Sequence, residues 1–191
     1  MKVKKFSGII VFIAMIGVAM TACNNGTGGF VPEYAVGDTG PGGGIIFYVG
    51  TFTMTDTGTT AHYLEAAPED ISGYVVWQQF TNDIPGTAVT LGSGRKNTAL
   101  IHAHADLTGA ASACVAPYDA GGTKTDWFLP SKDELNELCE QQDLFGNFTT
   151  FNYWSSSQID SNKAWVQWFV DGNPYDVVKT SNCYARAIRA F

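Results

Sequence analysis

Residues 164–170 place large apolar side chains on both faces of a predicted β-strand. Side chains alternate between the two faces of a strand. The faces are Trp165, Gln167 and Phe169 on one side and Val166, Trp168 and Val170 on the other. Two interpretations follow. Either the strand is central and buried on both sides, or one face packs while the other is an exposed recognition surface, where aromatic side chains give large, rigid contact areas.

The elements around this strand predict an α+β domain. A capping box at Ser131 and Glu134 begins a helix over about 131–142, and an Ala- and Leu-rich stretch predicts a helix over 97–114. The predicted strands are 45–49, 62–66, 153–157, 164–170, 175–179 and 184–191. Strands at both ends with two helices between them favour an α+β class, whose closing antiparallel strands turn at Asp171-Gly172 and around 180–182.

The N-terminal segment predicts export and lipid attachment. Lysines in the first five residues and an apolar stretch at 9–20 precede a small-residue site that ends at Cys23. We therefore expect a lipoprotein signal peptide at 1–22, acylation of Cys23, a polar tether at 23–35 and one folded domain at 36–191. An ordinary secretory signal with an incidental Cys23 is the alternative. The expected location is outside the inner membrane, lipid-anchored at the outer membrane or cell surface.

The net charge of the remaining chain limits the classes of partner that it is expected to bind. Without the three lysines of the signal segment, eight basic residues face 18 acidic ones, a net charge of −10. Such a chain repels phosphate backbones and anionic lipid headgroups. We therefore expect no nucleic-acid partner, and membrane contact only through the lipid anchor.

Candidate catalytic and cofactor motifs are weak. The glycine-rich segment Gly40 to Gly44 resembles a phosphate cradle, but it precedes a strand, whereas an anion-binding glycine loop opens a helix. The segment 92–96 opens a helix and is better explained as a plain N-terminal turn. His102 and Asp106 form two possible ligands without a third, so a surface pair is favoured over a metal site. No catalytic set, cofactor or metal site is predicted.

The cysteines other than Cys23 match no zinc spacing. They are Cys114, Cys139 and Cys183. A disulfide between Cys114 and Cys139 is possible in an oxidising compartment, which leaves one thiol unpaired.

Four separated motifs carry a family resemblance. They are Gly37 to Gly44 (GDTGPGGG), Thr125 to Asn136 (TDWFLPSKDELN), Tyr153 to Ser157 (YWSSS) and Arg186 to Phe191 (RAIRAF). Together they resemble the C-terminal domain of the collagen-like adhesin Lcl. The resemblance implies a C-type-lectin-like fold of the formylglycine-generating-enzyme type, and a binding module rather than an enzyme. A calcium-dependent sugar site is not expected, because only Asn173 to Asp176 approaches the lectin loop and no Trp-Asn-Asp strand is present.

Within that family, the C-terminal region is similar to spirochaete variable lipoproteins whose sequence is rewritten by a diversity-generating retroelement. This resemblance implies a fixed framework that includes Trp165, Gln167 and Phe169, with diversified residues between. The expected ligand-binding positions are Gln158, Ile159, Asp160, Val166, Trp168, Val170, Asp171, Asn173, Tyr175, Asp176, Val178, Thr180, Asn182 and Tyr184. Val177, Ser181 and Cys183 would vary with them, which would make Cys183 a chance residue rather than a structural thiol.

The resulting hypothesis is a non-enzymatic, surface-displayed lipoprotein that binds a protein or cell-surface ligand through a variable C-terminal region. A fixed-sequence adhesin or structural lipoprotein is the first alternative, and an enzyme of the same fold is the second. Solvent exposure separates them, because the display hypothesis fails if Trp168, Tyr175 and Tyr184 are all buried.

Overall fold

Short antiparallel sheets and short helices make up the described part of the chain. The computed structural model describes residues 32–71, 73–104, 108–115 and 124–191. Its elements are β1 (Ile45–Thr53), β2 (Thr60–Ala66), β3 (Val75–Val76), α1 (Gly94–His104), α2 (Ala110–Val115), α3 (Lys132–Glu140), a 3₁₀ helix (Gln142–Leu144), β4 (Asn152–Gln158), β5 (Lys163–Trp168), β6 (Asn173–Val178), β7 (Asn182–Cys183) and β8 (Ile188–Ala190). The predicted signal peptide, Cys23 and most of the predicted tether lie outside these ranges. Within them, no helix has the length and apolar character needed to cross a membrane.

The strands pair into sheets ordered β1-β2-β8, β3-β7 and β4-β5-β6, and all of these pairings are antiparallel. This architecture confirms the predicted α+β class. Strand β5 is the centre of its sheet. At its end, Trp168 lies opposite Asn152 of β4 on one side and Asn173 of β6 on the other.

The β4-β5-β6 sheet contributes to two hydrophobic cores. Tyr153 and Phe169 belong to the core that includes α3, whereas Trp154 and Val166 belong to the core that includes α1 and α2. Because neighbouring residues of one strand point to opposite faces, each face of the sheet packs on a different core. The first of the two interpretations, a central strand buried on both sides, is therefore confirmed for Val166 and Gln167, whereas Trp165 is half-buried.

The glycine-rich loop before β1 holds a buried carboxylate of the same chain. The backbone N–H groups of Gly42 and Gly44 donate to Glu65 Oε1 at 2.9 and 2.6 Å. Arg189 donates to Glu65 Oε2 at 2.9 Å and also pairs with Asp126. A Cβ at Gly44 would overlap the backbone carbonyl of Ala66. The loop is thus an anion cradle, as its composition suggests, but its anion is Glu65.

The predicted capping box at the start of α3 is confirmed. The Ser131 hydroxyl accepts the Glu134 N–H, while Glu134 Oε2 accepts the Ser131 N–H at 2.7 Å. Glu134 also accepts the Gly92 N–H at 2.9 Å. Burial raises the pKa of Glu134 to about 7, although its N–H donors act in the opposite direction. This carboxylate therefore ties the turn before α1 to the first turn of α3.

The single helix predicted over 97–114 is wrong, because α1 and α2 are separate and Thr108 and Gly109 are not helical. Gly109 approaches the backbone carbonyl of Trp77 so closely that a Cβ there would overlap it. Tertiary contact with Trp77, rather than helix propensity, therefore fixes where α2 begins.

The single strand predicted over 184–191 is also wrong, since residues 185–187 separate β7 from β8. The buried Arg186 side chain donates to the Ala67 and Pro68 carbonyls and pairs with Asp70 at 2.6 Å. The backbone around Arg186 bonds to the segment after β2 instead of continuing a strand ladder.

Candidate functional site

Five aromatic side chains form a partly exposed surface beside one end of the β4-β5-β6 sheet. We call this set the aromatic surface. Its members are Tyr74, Phe151, Trp168, Tyr175 and Tyr184. The Tyr184 ring lies 4.6 Å from Tyr74 and 5.9 Å from Phe151, and the Trp168 ring lies 6.3 Å from Tyr175, measured between centroids. Phe151, Tyr74 and Tyr175 are 51%, 50% and 42% exposed.

An open groove of about 530 Å³ joins the two halves of this surface. Its lining residues are Thr150, Phe151, Asn152, Trp168 and Tyr175. The groove volume falls within the range of about 300–1,000 Å³ that ligand sites occupy. The groove therefore offers an aromatic seat that a side chain or a small part of a larger ligand can enter.

Strand β5 positions Trp168 at the point where its sheet face leaves the core. Val166 is buried, but Trp168 on the same face is only half-buried. The Trp168 indole Nε1–H donates to the Thr150 carbonyl at 3.0 Å, which fixes the ring against the chain that enters β4. The ring is thus pre-organised and leaves part of its surface to solvent.

The turn between β5 and β6 positions Tyr175 and a carboxylate together. The Tyr175 hydroxyl donates to Asp171 Oδ2 at 2.6 Å, and the Asn173 N–H donates to Asp171 Oδ1 at 2.9 Å. Gly172 makes the turn with a φ of +71°. The Tyr175 hydroxyl bond, followed by the Asn173 N–H, lowers the pKa of Asp171 below its ordinary value, and the same Tyr175 bond raises the pKa of Tyr175. Asp171 is therefore an anion at neutral pH beside the groove.

The Tyr184 ring packs against buried residues. Its ring stacks on the buried Tyr153 ring at 5.6 Å, and the Tyr153 hydroxyl donates to Asp70 at 2.8 Å. A hydrogen bond with Tyr74 raises the pKa of Tyr184. Asp70 in turn pairs with the buried Arg186. Buried polar contacts thus hold this half of the aromatic surface from below.

Most of the predicted ligand-binding residues are accessible. Trp168 and Tyr184 are half-buried, and the exposed ones are Ile159, Asp160, Val170, Asp171, Asn173, Tyr175, Asp176, Val178, Thr180 and Asn182. The condition that would exclude display, burial of all three aromatic residues, is therefore not met.

Val166 is an error among the predicted exposed residues. It is 1% exposed and packs in the core with Trp154 and Ala164. The alternation of side chains predicted the same environment for Val166 and Trp168. It gives the direction of a side chain but not where the elements that cover the sheet end.

Gln158 also lies in a structural position. The half-buried Gln158 side chain accepts the Ile84 N–H at 3.0 Å and a Lys179 Nζ–H at 2.8 Å, and it donates to Asp83 at 2.7 Å. Because both its amide oxygen and its amide nitrogen are hydrogen-bonded, Gln158 holds the loop before α1 and is not free to contact a ligand.

Two members of the aromatic surface were missed by the sequence analysis. Tyr74 reaches the surface because β3 pairs with β7, which places Val75 opposite Cys183. No local signal connects residues so far apart in sequence. Phe151 precedes β4, and the aromatic-rich stretch Phe151 to Trp154 was the signal that could have identified it as a strand end at the surface.

The candidate metal and disulfide chemistry does not assemble in the described residues. No group of three or more His, Cys, Asp or Glu side chains in the described ranges could hold a metal ion. His102 contacts the Ser112 hydroxyl at 3.1 Å, and its predicted partner Asp106 lies outside the described residues. Cys114, Cys139 and Cys183 are free and buried. Cys114 and Cys139 belong to different cores, so the possible disulfide between them does not form.

Comparisons with known proteins agree with the fold and identify the family. Among curated proteins, none matches this chain. A solved structure of a fimbrial protein from Bacteroides ovatus aligns with a TM-score of 0.52 and 16% identity, covering 78% of this chain and 44% of that one. This chain thus spans less than half of that structure, and the likeness concerns the fold alone. The family model of the Lcl C-terminal domain matches residues 67–189, and the chain therefore belongs to the Lcl C-terminal domain family.

Proposed function

We propose that this protein is a non-enzymatic binding protein with an adhesin-like role at the cell surface, and that it contacts a protein or cell-surface ligand through the aromatic surface. The observation that carries the proposal is the exposure of several large aromatic rings around one open groove. Exposed aromatic clusters of this kind are more typical of interaction sites than of the surfaces of inert proteins.

The arrangement suits binding because its aromatic rings are already held in place. Trp168 is fixed by Thr150, and Tyr184 stacks on the buried Tyr153. Rigid Trp and Tyr side chains lose little conformational entropy when they bind, and such residues dominate the energy of interfaces. The exposed polar residues around them can supply adaptable hydrogen bonds.

The family and the chain's N-terminus support a location at the cell surface. Membership in the Lcl C-terminal domain family fits an adhesin-like role, and we propose that the lipid is attached at Cys23. Labelling of the cells with radioactive palmitate should label the wild-type protein and leave Cys23→Ser unlabelled. Equal labelling of both proteins would show that Cys23 is not the attachment site.

We further propose that the domain has a C-type-lectin-like fold and that its C-terminal region is diversified. Of the predicted variable positions, those that can change without damage to the fold are the exposed ones together with the half-buried Trp168 and Tyr184. Val166, Cys183 and the hydrogen-bonded Gln158 are not among them. Deep sequencing of the 3′ end of the gene from one culture should find substitutions clustered at the codons of these accessible residues, with Gln167, Phe169 and Arg186 unchanged. A uniform sequence would contradict diversification and favour a fixed-sequence adhesin.

The binding proposal is tested with the purified full chain on an array of purified proteins and oligosaccharides. The wild-type chain should bind at least one component, and the double substitution Trp168→Ala with Tyr175→Ala should abolish that binding. Val89→Ala is a matched control, because Val89 is 39% exposed and does not line the groove. Absence of any binding, or binding unchanged by the double substitution, would contradict the proposal.

A further inference from the structure

The groove in the aromatic surface has a negative electrostatic environment. Among the described residues, its lining consists of aromatic rings, one threonine and one asparagine, with no lysine, arginine or histidine. The Asp171 carboxylate is bonded to the hydroxyl of the lining residue Tyr175 at 2.6 Å. Aromatic faces carry partial negative charge, so the rings and the carboxylate act in the same direction.

Three described cations on or beside this sheet are engaged with other partners. Lys163 pairs with Asp176 across β5 and β6. Lys179 is buried and lies over the Trp77 ring at 4.5 Å. Arg186 is fully buried and pairs with Asp70. Each of these charges has its own partner, which leaves Asp171 to complement a positive charge from a ligand.

We propose that the groove receives a lysine or arginine side chain from a basic segment of a protein ligand. This inference rests on the proposed binding function and names the chemistry of its ligand. The cationic head group would lie against the faces of Trp168 and Tyr175 and make an ion pair with Asp171. Attraction for basic segments also fits a chain that carries 18 acidic and only 11 basic residues in total.

The geometry allows one cation to contact both aromatic rings. The Trp168 and Tyr175 centroids are 6.3 Å apart and the rings are inclined at 62°. A cation is attracted to an aromatic face within about 6 Å of its centroid, so one head group can contact both rings. The hydrogen bond from Tyr175 to Asp171 increases the electron density of the Tyr175 ring and holds the carboxylate beside it. An arginine would add a planar group that stacks on the indole.

The test uses two synthetic peptides, acetyl-hexaarginine amide and its neutral isostere acetyl-hexacitrulline amide, each with a fluorescent label. Fluorescence anisotropy with the full chain should show binding of the arginine peptide and at least about tenfold weaker binding of the citrulline peptide, since cation–π and ion-pair contacts both require the charge. Trp168→Ala should weaken the arginine complex about tenfold. Asp171→Asn should weaken it about fivefold.

Glu140→Gln is the matched control for charge. It removes one exposed carboxylate from α3, and this carboxylate does not line the groove. This variant should bind the arginine peptide as the wild type does. Equal binding of the two peptides, or equal losses in Glu140→Gln and Asp171→Asn, would overturn the proposal, because binding would then be uncharged or general to the acidic protein.

The outcomes separate this inference from the proposed function. If the array ligand is lost in the Trp168 and Tyr175 double variant but neither peptide binds, the aromatic surface binds a ligand of another class and only the inference is wrong. If array binding does not depend on Trp168 and Tyr175, the proposed function itself fails.

Discussion

Two ion pairs show how differently this protein uses charge in its interior and at its candidate binding surface. The Arg189 and Glu65 side chains are 4% and 0% exposed, and the two glycine N–H groups of the 37–44 loop complete the site. The Lys163 and Asp176 side chains are 42% and 48% exposed and bond mainly to each other. The interior pair is part of a network that a substitution would break, whereas the surface pair is local and replaceable.

The same contrast appears within a few residues around β5. Val166 is 1% exposed and contacts the core, while Val170 is 57% exposed just after the strand. We call the two cores and their buried ion pairs the frame. The frame therefore ends between Val166 and Val170, so that neighbouring residues can serve stability and binding separately. Each prediction below compares a substitution in the frame with a matched one at the surface.

The largest effect is expected from loss of the buried arginine. Arg189→Met leaves Glu65 as a buried carboxylate without its cation, which should lower the free energy of unfolding by about 3–5 kcal/mol. Urea denaturation measures this change. Lys163→Met is the matched surface substitution, and its denaturation curve should superimpose on that of the wild type. Equal losses in both variants would break the distinction between the two regions.

A methyl group added to a glycine should likewise destabilise the frame more than the surface. Gly44→Ala places a Cβ against the Ala66 carbonyl and should destabilise the fold by about 3 kcal/mol. Gly172→Ala meets no atom within 4 Å but retains a positive φ, so it should cost about 1 kcal/mol. Thermal denaturation by circular dichroism compares them, and a larger loss at Gly172 would contradict the assignment of the β5-β6 turn to the tolerant surface.

Truncation of the two valines tests the boundary at β5 itself. Val166→Ala removes buried methyl groups and leaves a small cavity, which should cost about 2 kcal/mol. Val170→Ala should change the free energy of unfolding by less than about 0.5 kcal/mol. If the two variants lose the same stability in chemical denaturation, Val170 is packed and does not belong to an accessible surface.

The smallest effect is a change of ionisation without a change of fold. Tyr175→Phe removes the hydroxyl that donates to Asp171, so the pKa of Asp171 should rise toward its ordinary value of 3.8. An NMR pH titration of the Asp171 side chain measures the shift. Asp160 serves as the internal control, because its lowered pKa depends first on the Asn162 and Lys163 N–H groups and should not move. An unchanged pKa at Asp171 would show that Tyr175 does not polarise this carboxylate.

Local sequence signals predicted the parts of the fold that local interactions create. The capping box at Ser131 and Glu134 depends on residues three apart, and it is present as predicted. The α+β class followed from strand and helix patterns in the same way. The helix over 97–114 was wrong because Gly109 packs on Trp77, a contact that no local propensity contains.

The candidate site could be predicted only in part, because it combines a local pattern with distant pairings. Trp168 and Tyr175 were identified as binding residues from the C-terminal motifs, and the structure places both at the groove. Tyr74 joins them only through the pairing of β3 with β7. Val166 was misplaced because alternation gives the direction of a side chain and not the extent of the layer that covers it.

The most direct test is a mutational scan of residues 150–191 in which every variant is sorted for protease resistance and for binding to the array component that the wild type binds best. If the aromatic surface and the frame are separable, binding should fall while protease resistance is retained on substitution of Phe151, Trp168, Tyr175 and Tyr184. Substitutions at Val166, Gln158 and Arg186 should lower both. If every variant that loses binding also loses protease resistance, the binding site and the frame are not separable and the account is wrong.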